Sequence, residues 1–312
     1  MNRIQVAVGV VTNSSGQVLL SRRHQSAHQG GLWEFPGGKL EPGEPVLTAL
    51  LRELDEELGL RVETASPLIR IRHQYPDRSV LLRVFRVDAH SGRAVGMEGQ
   101  EIRWVNPVDL GDYEFPEANR PIISALRLPD VFPILNDDGS ELFRLERRFR
   151  EWMTRGVKIF QFRTSRPWTE RSIEFFQPLF QKAHAARIDV IINGPPGVGV
   201  RVGAAGLHLN SQRLLEAKLR PSTGFRWVGA SCHNLDELLH AQNLGLDYAF
   251  LSPVSATRSH PRGRTLGWNG FEALVDQVNI PVFALGGMTS TELKLARNRG
   301  GQGIAGISAF AK

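Results

Sequence analysis

The second half of the chain alternates short apolar runs with segments of helical character. Eight such runs lie between residues 131 and 307, and most are nearly continuous in apolar residues. Strands buried on both faces have this composition, and they form parallel sheets whose connections are helices. Eight strand–helix repeats predict an α/β barrel of the (β/α)8 TIM type. The predicted strands are residues 131–135, 157–162, 189–192, 206–209, 227–231, 248–251, 281–285 and 303–307.

The first half of the chain has a different pattern, in which strand-like segments surround one acidic helix. A rotation of ~100° per residue places five leucines on one stripe, which predicts a core-facing side. Glu53, Glu56 and Glu57 share another face, because residues three and four apart are neighbours on a helix. Gly59 lies where the helix is expected to end, since glycine accepts the left-handed cap conformation. The leucines are Leu47, Leu50, Leu51, Leu54 and Leu58.

Three carboxylates on one helix face repel one another unless a cation neutralises them. A solvated acidic face is the ordinary alternative to a metal site. The upstream residues favour the metal site, since Gly37 and Gly38 supply a tight turn that lets the backbone approach a ligand. Glu44 precedes Arg52 by eight residues, so this loop glutamate can fold back and pair with the arginine. Oxygen-rich clusters suit Mg²⁺, which is usually shared between carboxylates and substrate phosphates.

The stretch from Gly38 to Leu60 matches the Nudix box at every fixed position. The box reads glycine, five residues, glutamate, seven residues, arginine-glutamate, an aliphatic residue, any residue, two glutamates, any residue, glycine and an aliphatic residue. The chain thus resembles the Nudix hydrolases, whose α+β fold has a mixed sheet with flanking helices. This implies Mg²⁺-dependent hydrolysis, with Mn²⁺ as a substitute, of a nucleoside diphosphate linked to another moiety. The residues implied at the metal are Gly37, Gly38, Glu53, Glu56, Glu57 and Glu98.

Two glutamates are candidates for the general base, Glu53 within the box and Glu98 outside it. The sequence leaves this choice open, because a base is recognised first by its geometry. Arg52 and Glu44 are predicted to form a structural pair that orients the cluster. Lys39 either contacts a phosphate or is a solvated turn residue. The predicted catalytic group is Glu53, Glu56, Glu57 and Glu98.

Further residues of the first half resemble the MutT branch of this family, which hydrolyses oxidised guanine nucleotides such as 8-oxo-dGTP to the monophosphate and pyrophosphate. The resemblance implies that Asn119 reads the purine edge and that Arg23 contacts the nucleotide. An asparagine amide has both a donor and an acceptor for such an edge. Alternatively, Asn119 caps the following helix and Arg23 is a surface strand residue. The residues implied in substrate binding are Arg23, His28, Phe35, Gly37, Gly38, Lys39, Arg78 and Asn119.

Two positions depart from the pattern of this branch. Trp33 stands where its best-known member has an aliphatic residue, and Arg120 replaces an acidic residue. Either difference can alter the selectivity for the base.

The length of 312 residues predicts two domains. We expect a Nudix domain at residues 1–128 and a barrel domain at residues 129–312. In the first domain, residues 4–12 and 17–23 are predicted to form a hairpin, and residues 117–127 a helix. The second domain is short for a barrel of eight strands, so its helices are expected to be short.

Composition and charge indicate the kind of ligand and the cellular compartment that suit the chain. The formal net charge of +6 favours anionic ligands, and no basic arm of the kind that binds nucleic acid is visible. The resemblance to the MutT branch implies a nucleoside triphosphate substrate, and we expect no direct binding of DNA because such an arm is missing. We also expect no membrane association, because no apolar run approaches the ~20 residues that span a bilayer. The single cysteine, Cys232, excludes an intrachain disulfide and indicates a reducing cytoplasm.

Motifs of the second half resemble the thiamine phosphate synthase and TenI family. They lie at residues 161–163, 206–209, 231–234, 252–254, 286–288 and 307–308. The resemblance implies a thiamine-related phosphate ligand at the carboxyl ends of the strands, where barrel sites lie. The implied phosphate contacts are Gly286, Gly287, Ile307 and Ser308.

The acidic residues with which the family's synthases hold Mg²⁺ on a pyrimidine diphosphate are missing here. Gly194 stands where one of them is expected, and residues 210–212 read Asn-Ser-Gln. Thr164 and Ser165 replace the lysine expected soon after Arg163. These departures argue against synthase activity.

His233 matches a histidine that works as an acid/base in TenI-type thiazole tautomerases, although a structural histidine or a phosphate-binding module without chemistry fits the sequence equally well. Two functions therefore remain. One is a pyrophosphohydrolase that sanitises the nucleotide pool and carries a degenerate barrel as an accessory domain. The other is a thiamine-pathway protein that hydrolyses thiamine-like diphosphates and binds or converts thiazole phosphate. Asn119 and Arg23 favour the first, and the fusion itself favours the second.

Overall fold

The structure is a computed structural model that describes residues 4–137, 142–221, 224–256 and 264–307. The chain divides into two compact units, which are Met1–Leu128 with Asp276–Asn279, and Pro129–Val275 with Ile280–Lys312. None of the helices within the described ranges is long and apolar enough to cross a membrane.

The first unit combines two small sheets with two α-helices. Its strands are β1 (Ile4–Val11), β2 (Val18–Arg22), β3 (Trp33–Glu34), β4 (Gly37–Lys39), β5 (Arg61–Gln74), β6 (Ser79–Ser91) and β7 (Ile102–Val105), and its helices are α1 (Val46–Leu58) and α2 (Arg120–Arg127). One sheet has the order β4-β1-β6-β5, in which β1 and β6 are parallel and the other pairs antiparallel. The second sheet is antiparallel, with the order β3-β2-β7. This is the mixed-sheet α+β arrangement that the sequence predicts.

The predicted hairpin of the first two strands is wrong. The turn itself forms, because the Asn13 side chain accepts hydrogen bonds from the N–H groups of Ser15 and Gln17 at 2.9 and 3.0 Å. Beyond a single bridge between Thr12 and Val18, β1 and β2 enter different sheets. The reason is that β6 and β4 occupy the two edges of β1, so no edge is left for β2.

Helix α1 ends at Gly59, whose φ of 65° is left-handed as predicted, but its buried face differs from the predicted leucine stripe. Three leucines of the stripe are buried, whereas Leu47 and Leu51 are 46% and 38% exposed. At ~100° per residue, the inward side is displaced from the stripe toward Glu53 and Glu57. The prediction of a core-facing stripe is therefore wrong for Leu47 and Leu51, because the helix turns two carboxylates inward.

The second unit is a closed barrel of eight parallel strands, as the sequence predicts. Each observed strand begins and ends within two residues of its predicted bounds. The strands are β8 (Val131–Asn136), β9 (Ile159–Arg163), β10 (Asp189–Asn193), β11 (Gly206–Leu209), β12 (Trp227–Cys232), β13 (Tyr248–Leu251), β14 (Val282–Leu285) and β15 (Gly303–Gly306). The described helices are α3 (Leu142–Thr154), α4 (Glu170–Ala185), α5 (Pro196–Val202), α6 (Ser211–Glu216), α7 (Leu235–Asn243), α8 (Gly267–Val275) and α9 (Leu293–Asn298).

Large side chains fill the interior of the barrel. Phe132 contacts Tyr248 and Phe250, with ring centroids 4.9 and 5.1 Å apart. His208 is fully buried against Phe250, at 4.7 Å between ring centroids. Helices α6 and α9 have six residues each, in agreement with the predicted short helices. Because the interior is packed, ligands have access only at the ends, and in such barrels the sites lie at the carboxyl ends of the strands.

Candidate functional site

Glu53 and Glu57 lie on the inward side of α1, where burial and mutual repulsion act on their charges. The pKa of Glu57 is raised from 4.5 to about 8, first by burial and then by nearby carboxylates. In order of effect, those carboxylates belong to Glu53, Glu34 and Glu98. A backbone hydrogen bond from Gly37 opposes the shift. The cluster therefore favours a bound proton or cation beside Glu57.

Glu98 reaches the cluster from the loop that follows β6. The loop is held against the end of α1, because the Met97 N–H and Gln100 Nε2 donate to the Glu57 carbonyl at 2.9 and 3.0 Å. Gln100 Oε1 in turn accepts from the N–H of Glu98 at 2.9 Å. The charges of Glu98 and Glu53 thus both act on Glu57.

Arg52 organises the outer side of the cluster through a branched set of ion pairs. Its Nε and Nη2 donate to the two carboxylate oxygens of Glu44, both at 3.0 Å, which confirms the predicted pairing. Its Nη1 donates to Glu53 at 2.9 Å and to Glu56 at 3.1 Å. Nη2 also donates to the Lys39 carbonyl at 3.2 Å. Hydrogen bonding to this guanidinium lowers the pKa of Glu44 and holds the loop that precedes α1.

The fit of a divalent cation can be judged from these side chains. Within the described part of the chain, no group of three or more His, Cys, Asp and Glu residues is arranged to hold a metal ion. Glu56 is 60% exposed and bonded to Arg52, so it would have to leave the arginine to join the cluster. Two observations nevertheless fit a cation. One is the raised pKa of Glu57, which is caused first by burial and then by neighbouring carboxylates, and the other is Gly38, where a Cβ would overlap the Glu53 carboxylate. A buried carboxylate whose neighbours are also carboxylates suits a hard cation such as Mg²⁺.

A cleft of about 660 Å³ adjoins the cluster. Every predicted substrate-binding residue except Gly38 lines it, and Gly38 lies in β4 next to Gly37. The residues that line it from this set are Arg23, His28, Phe35, Gly37, Lys39, Arg78 and Asn119. The residue predicted to contact a phosphate, Lys39, and the residue predicted to read the base, Asn119, therefore line one cavity.

Asn119 is 7% exposed and lies at the junction of a 3-10 turn, Glu117–Asn119, with α2. The turn replaces the first part of the predicted helix, because the backbone tightens after Pro116. Asn119 stands at the N-cap position of α2, as the alternative assignment has it, but its side chain makes no capping hydrogen bond. Its amide is left available to the cleft, while Phe35 stacks on Phe115 in the same region, with 5.6 Å between ring centroids.

Arg23 is not a surface strand residue, since it lines the cleft and pairs with Glu34. Its Nε also donates to the His28 carbonyl at 2.9 Å. Burial raises the pKa of Glu34, and the ion pair with Arg23 lowers it in part. Glu34 pairs with Arg23 in the lining of the cleft, and its charge also acts on Glu57.

Sequence reasoning missed Glu34 and Tyr75 as residues of the site. Tyr75 lines the cleft, and its ring meets the edge of His28 at 4.8 Å between centroids. Glu34 could have been recognised in the sequence, because it is a carboxylate between two aromatic residues shortly before the Gly37-Gly38 turn. The two departures from the branch, Trp33 and Arg120, are not among the residues that line the cleft. Trp33 instead packs against Tyr113 and Arg103.

A second cleft, of about 1350 Å³, lies at the carboxyl ends of the barrel strands. His233 lines it and is fixed at two points. Its Nδ1 lies 2.8 Å from the Ser252 carbonyl, and its N–H donates to Glu237 at 2.7 Å. A carbonyl only accepts, so Nδ1 carries the proton and Nε2 is the basic nitrogen.

Two of the predicted phosphate contacts of the barrel, Gly286 and Gly287, directly follow Leu285, which lines this cleft. Gly286 and Gly287 have φ values of 98° and 70°, and a Cβ on Gly287 would fall 2.6 Å from the Ala256 carbonyl. Ile307 is 41% exposed. None of these three is among the residues that line the cleft, and Ser308 lies outside the described residues.

Comparison with known proteins supports both halves of this description. A NUDIX domain matches residues 7–125, and the thiamine monophosphate synthase family matches residues 133–310. The 8-oxo-dGTP diphosphatase of Escherichia coli (strain K12) is 37% identical over 127 residues, covering 41% of this chain and 98% of that protein. A thiamine-phosphate synthase of Chloroflexus aurantiacus is 31% identical over 155 residues, covering 49% of this chain and 72% of that protein. A solved structure from a study of MutT of Aliivibrio salmonicida and Vibrio cholerae shares 35% identity, with a TM-score of 0.36, and covers 40% of this chain and 97% of that chain.

The fold and the site define a protein that joins a phosphoanhydride-hydrolase domain to a TIM-type barrel. The chain belongs to the Nudix hydrolases, in the MutT branch, through its first domain and to the thiamine monophosphate synthase family through its second.

Proposed function

We propose that residues 1–128 hydrolyse 8-oxo-dGTP to 8-oxo-dGMP and pyrophosphate in the presence of Mg²⁺, and that residues 129–312 form an accessory domain. The observation that carries this proposal is the cleft lined by Asn119 and Arg23, which is also lined by Gly37, the residue whose backbone hydrogen-bonds to Glu57. The similarity to a named 8-oxo-dGTP diphosphatase supports the substrate class. We assign the protein to the cytoplasm and expect no direct contact with DNA.

A divalent cation, Mg²⁺ or Mn²⁺, would be held by Glu53, Glu57 and Glu98, with Glu56 and the backbone of Gly37 and Gly38 as further ligands. Such a cation stabilises the negative charge that develops at the attacked phosphate. The side chains of the protein position the ligands of this cation. Arg52 fixes Glu53 through its ion pair at 2.9 Å, and Gly38 leaves room for the Glu53 carboxylate.

Water activation requires a base, and Glu53 and Glu98 are the two candidates. Glu53 is the more buried and is held by Arg52, whereas Glu98 is exposed on its loop. A base is identified by the ionisation that its removal takes out of the pH–rate profile. We propose to compare Glu53→Gln and Glu98→Gln, because the variant that loses the acidic limb of kcat/KM names the base.

On the purine side, the Asn119 amide donates to and accepts from the base edge. Arg23, held in place by Glu34 and the His28 carbonyl, contacts the nucleotide, and Lys39 and Arg78 supply positive charge near the phosphates.

The decisive test is steady-state kinetics of the full chain against 8-oxo-dGTP, dGTP and thiamine diphosphate. A preference for 8-oxo-dGTP is expected, and a preference for thiamine diphosphate would overturn the assignment.

One observation favours the second candidate, a thiamine-pathway protein. His233 presents a basic Nε2 in the barrel cleft, as an acid/base for a thiazole phosphate tautomerase requires. An assay of thiazole phosphate isomerisation with wild type and His233→Gln tests this role. Activity that is lost in the variant would establish the tautomerase, and no activity in the wild type would exclude it.

A further inference from the structure

Tyr75 lies in the wall of the cleft of the first unit, in the turn between β5 and β6. Its backbone is fixed, because its N–H donates to the Arg78 carbonyl at 2.8 Å and its carbonyl accepts from Gln74 Nε2 at 2.8 Å. Its ring packs edge-to-face with His73 and His28, with 4.3 and 4.8 Å between ring centroids. The fold therefore determines the position of this ring before any ligand binds.

The Tyr75 hydroxyl reaches the 3-10 turn that carries Asn119. Burial raises the pKa of Tyr75, and a hydrogen bond with the Ala118 backbone opposes this rise. A bond that lowers the pKa stabilises the phenolate form, so the Ala118 N–H donates and the hydroxyl oxygen accepts. Ala118 is buried and directly precedes Asn119. The hydroxyl therefore fixes the backbone one residue before the side chain that is proposed to read the base.

Two other contacts of this turn do little to fix its orientation. The Glu117 carboxylate lies 3.7 Å from His73 Nε2, but it is 73% exposed, and an exposed ion pair contributes little. The Asn119 N–H donates to the Pro116 carbonyl at 2.9 Å, which is a bond within the turn itself. Among these contacts, the one with the Tyr75 hydroxyl is buried and joins the turn to the end of β5.

We infer that Tyr75 is a positioning residue, which acts through Asn119 in the discrimination between bases. Its hydroxyl holds the turn and so sets the direction in which the Asn119 amide points. A group that is fixed before the ligand binds loses less conformational entropy on binding, so its hydrogen bonds discriminate more strongly. The inference rests on the proposed function, since it requires that Asn119 reads the purine edge.

Tyr75→Phe tests this role in the full chain, because it removes the hydroxyl and keeps the ring between the two histidines. Steady-state kinetics with 8-oxo-dGTP and dGTP are measured in Mg²⁺. The ratio of kcat/KM for 8-oxo-dGTP to that for dGTP is expected to fall roughly 2- to 13-fold, which is the effect of one hydrogen bond. The change should appear as a higher KM for 8-oxo-dGTP, because the glutamate cluster is untouched. Both values come from one preparation, so the folded fraction cancels in the ratio.

A double-mutant cycle distinguishes positioning from general support of the fold. If Tyr75 acts through Asn119, adding Tyr75→Phe to Asn119→Ala should leave the ratio as it is in Asn119→Ala alone. Effects of the two substitutions that multiply independently would overturn the inference. Tyr113→Phe is the matched control and should keep the wild-type ratio, because Tyr113 packs against Trp33 and is not among the residues that line the cleft.

The same kinetics separate this inference from the proposed function. A wild type that prefers 8-oxo-dGTP, together with a Tyr75→Phe variant of equal preference, would overturn the role of Tyr75 and leave the proposed function standing. A wild type that does not prefer 8-oxo-dGTP would overturn both.

Discussion

Asn119 and Glu57 govern separate properties of the proposed hydrolase. Asn119 faces the cleft without a capping hydrogen bond, so its amide is free to read a base. Glu57 is surrounded by other carboxylates, so its ionisation depends on what binds beside it. Substitutions at the two positions should therefore have distinguishable effects.

Asn119→Ala should reduce the preference for 8-oxo-dGTP over dGTP. A bidentate amide–purine contact discriminates by about 1–3 kcal/mol, which corresponds to roughly 5- to 150-fold in kcat/KM. Hydrolysis of dGTP should persist, since the glutamate cluster is untouched. Asn106→Ala is the control, because Asn106 pairs with Asp109 on the surface. Unchanged selectivity in Asn119→Ala would remove this residue from base recognition.

Glu57 predicts a pH dependence of stability in EDTA. In the folded chain Glu57 holds its proton to about pH 8, whereas the unfolded residue releases it near pH 4.5. Between these values only the folded state binds this proton, so unfolding becomes easier as the pH rises, by at most about 1.4 kcal/mol per pH unit. Above about pH 8 the free energy of unfolding no longer falls from this cause, because Glu57 is then ionised in both states.

Urea unfolding at pH 6 and pH 8 measures this effect. Glu57→Gln should lose the contribution, whereas Glu56→Gln should keep it because Glu56 is 60% exposed. Mg²⁺ should restore stability at pH 8 in the wild type more than in Glu57→Gln. An identical pH dependence in the wild type and Glu57→Gln would contradict the raised pKa.

At the scale of elements, the turn before α1 and the helix depend on each other through Gly38 and Arg52. Gly38→Ala should displace the Glu53 carboxylate, because the added Cβ overlaps it. We expect kcat to fall by about tenfold or more, since misplacing a catalytic group by an ångström has an effect of that order. Gly111→Ala is the matched control, with nothing within 4 Å of its Cβ. Equal activity in the two variants would show that the contact is unimportant.

Arg52→Lys should also lower kcat while changing KM little. A lysine cannot make the paired contacts to Glu44 and Glu53 at once, and it lacks the planar fork. The urea midpoint should fall with it, because the loop before α1 loses its anchor. A variant with wild-type kcat would show that the arginine has no part in orienting the cluster.

Much of this element-level description could be predicted from the residues. The pairing of Glu44 with Arg52 and the end of α1 at Gly59 follow from spacing. The exposure of Leu47 and Leu51 could not be predicted, because helical periodicity does not say which of two faces the fold will bury. The separation of β1 from β2 was also hidden, since it depends on the distant strand β6.

For the whole molecule, the barrel could be predicted because eight buried parallel strands appear in the sequence as regularly spaced apolar runs. The residues that line its cleft could be predicted less well. The predicted phosphate contacts sit in tight turns such as Gly287, whereas the open cleft is lined by Arg163 and its neighbours. Loop conformation decides which polar residues face a cavity, and sequence patterns do not determine it.

The two sites should function separately in the intact chain. Arg163→Gln should leave nucleotide hydrolysis unchanged, and Glu57→Gln should abolish it. Steady-state kinetics of the two variants and the wild type checks both expectations. A loss of hydrolysis in Arg163→Gln would instead indicate coupling between the domains.

The orientation of α1 has a practical consequence for anyone who engineers this enzyme. Because Glu53 and Glu57 face inward, Leu47 and Leu51 remain partly exposed to solvent and contribute little to the core. Lysine or glutamine at these positions should improve solubility in concentrated preparations without loss of turnover, whereas the same exchange at Leu54 would unfold the domain.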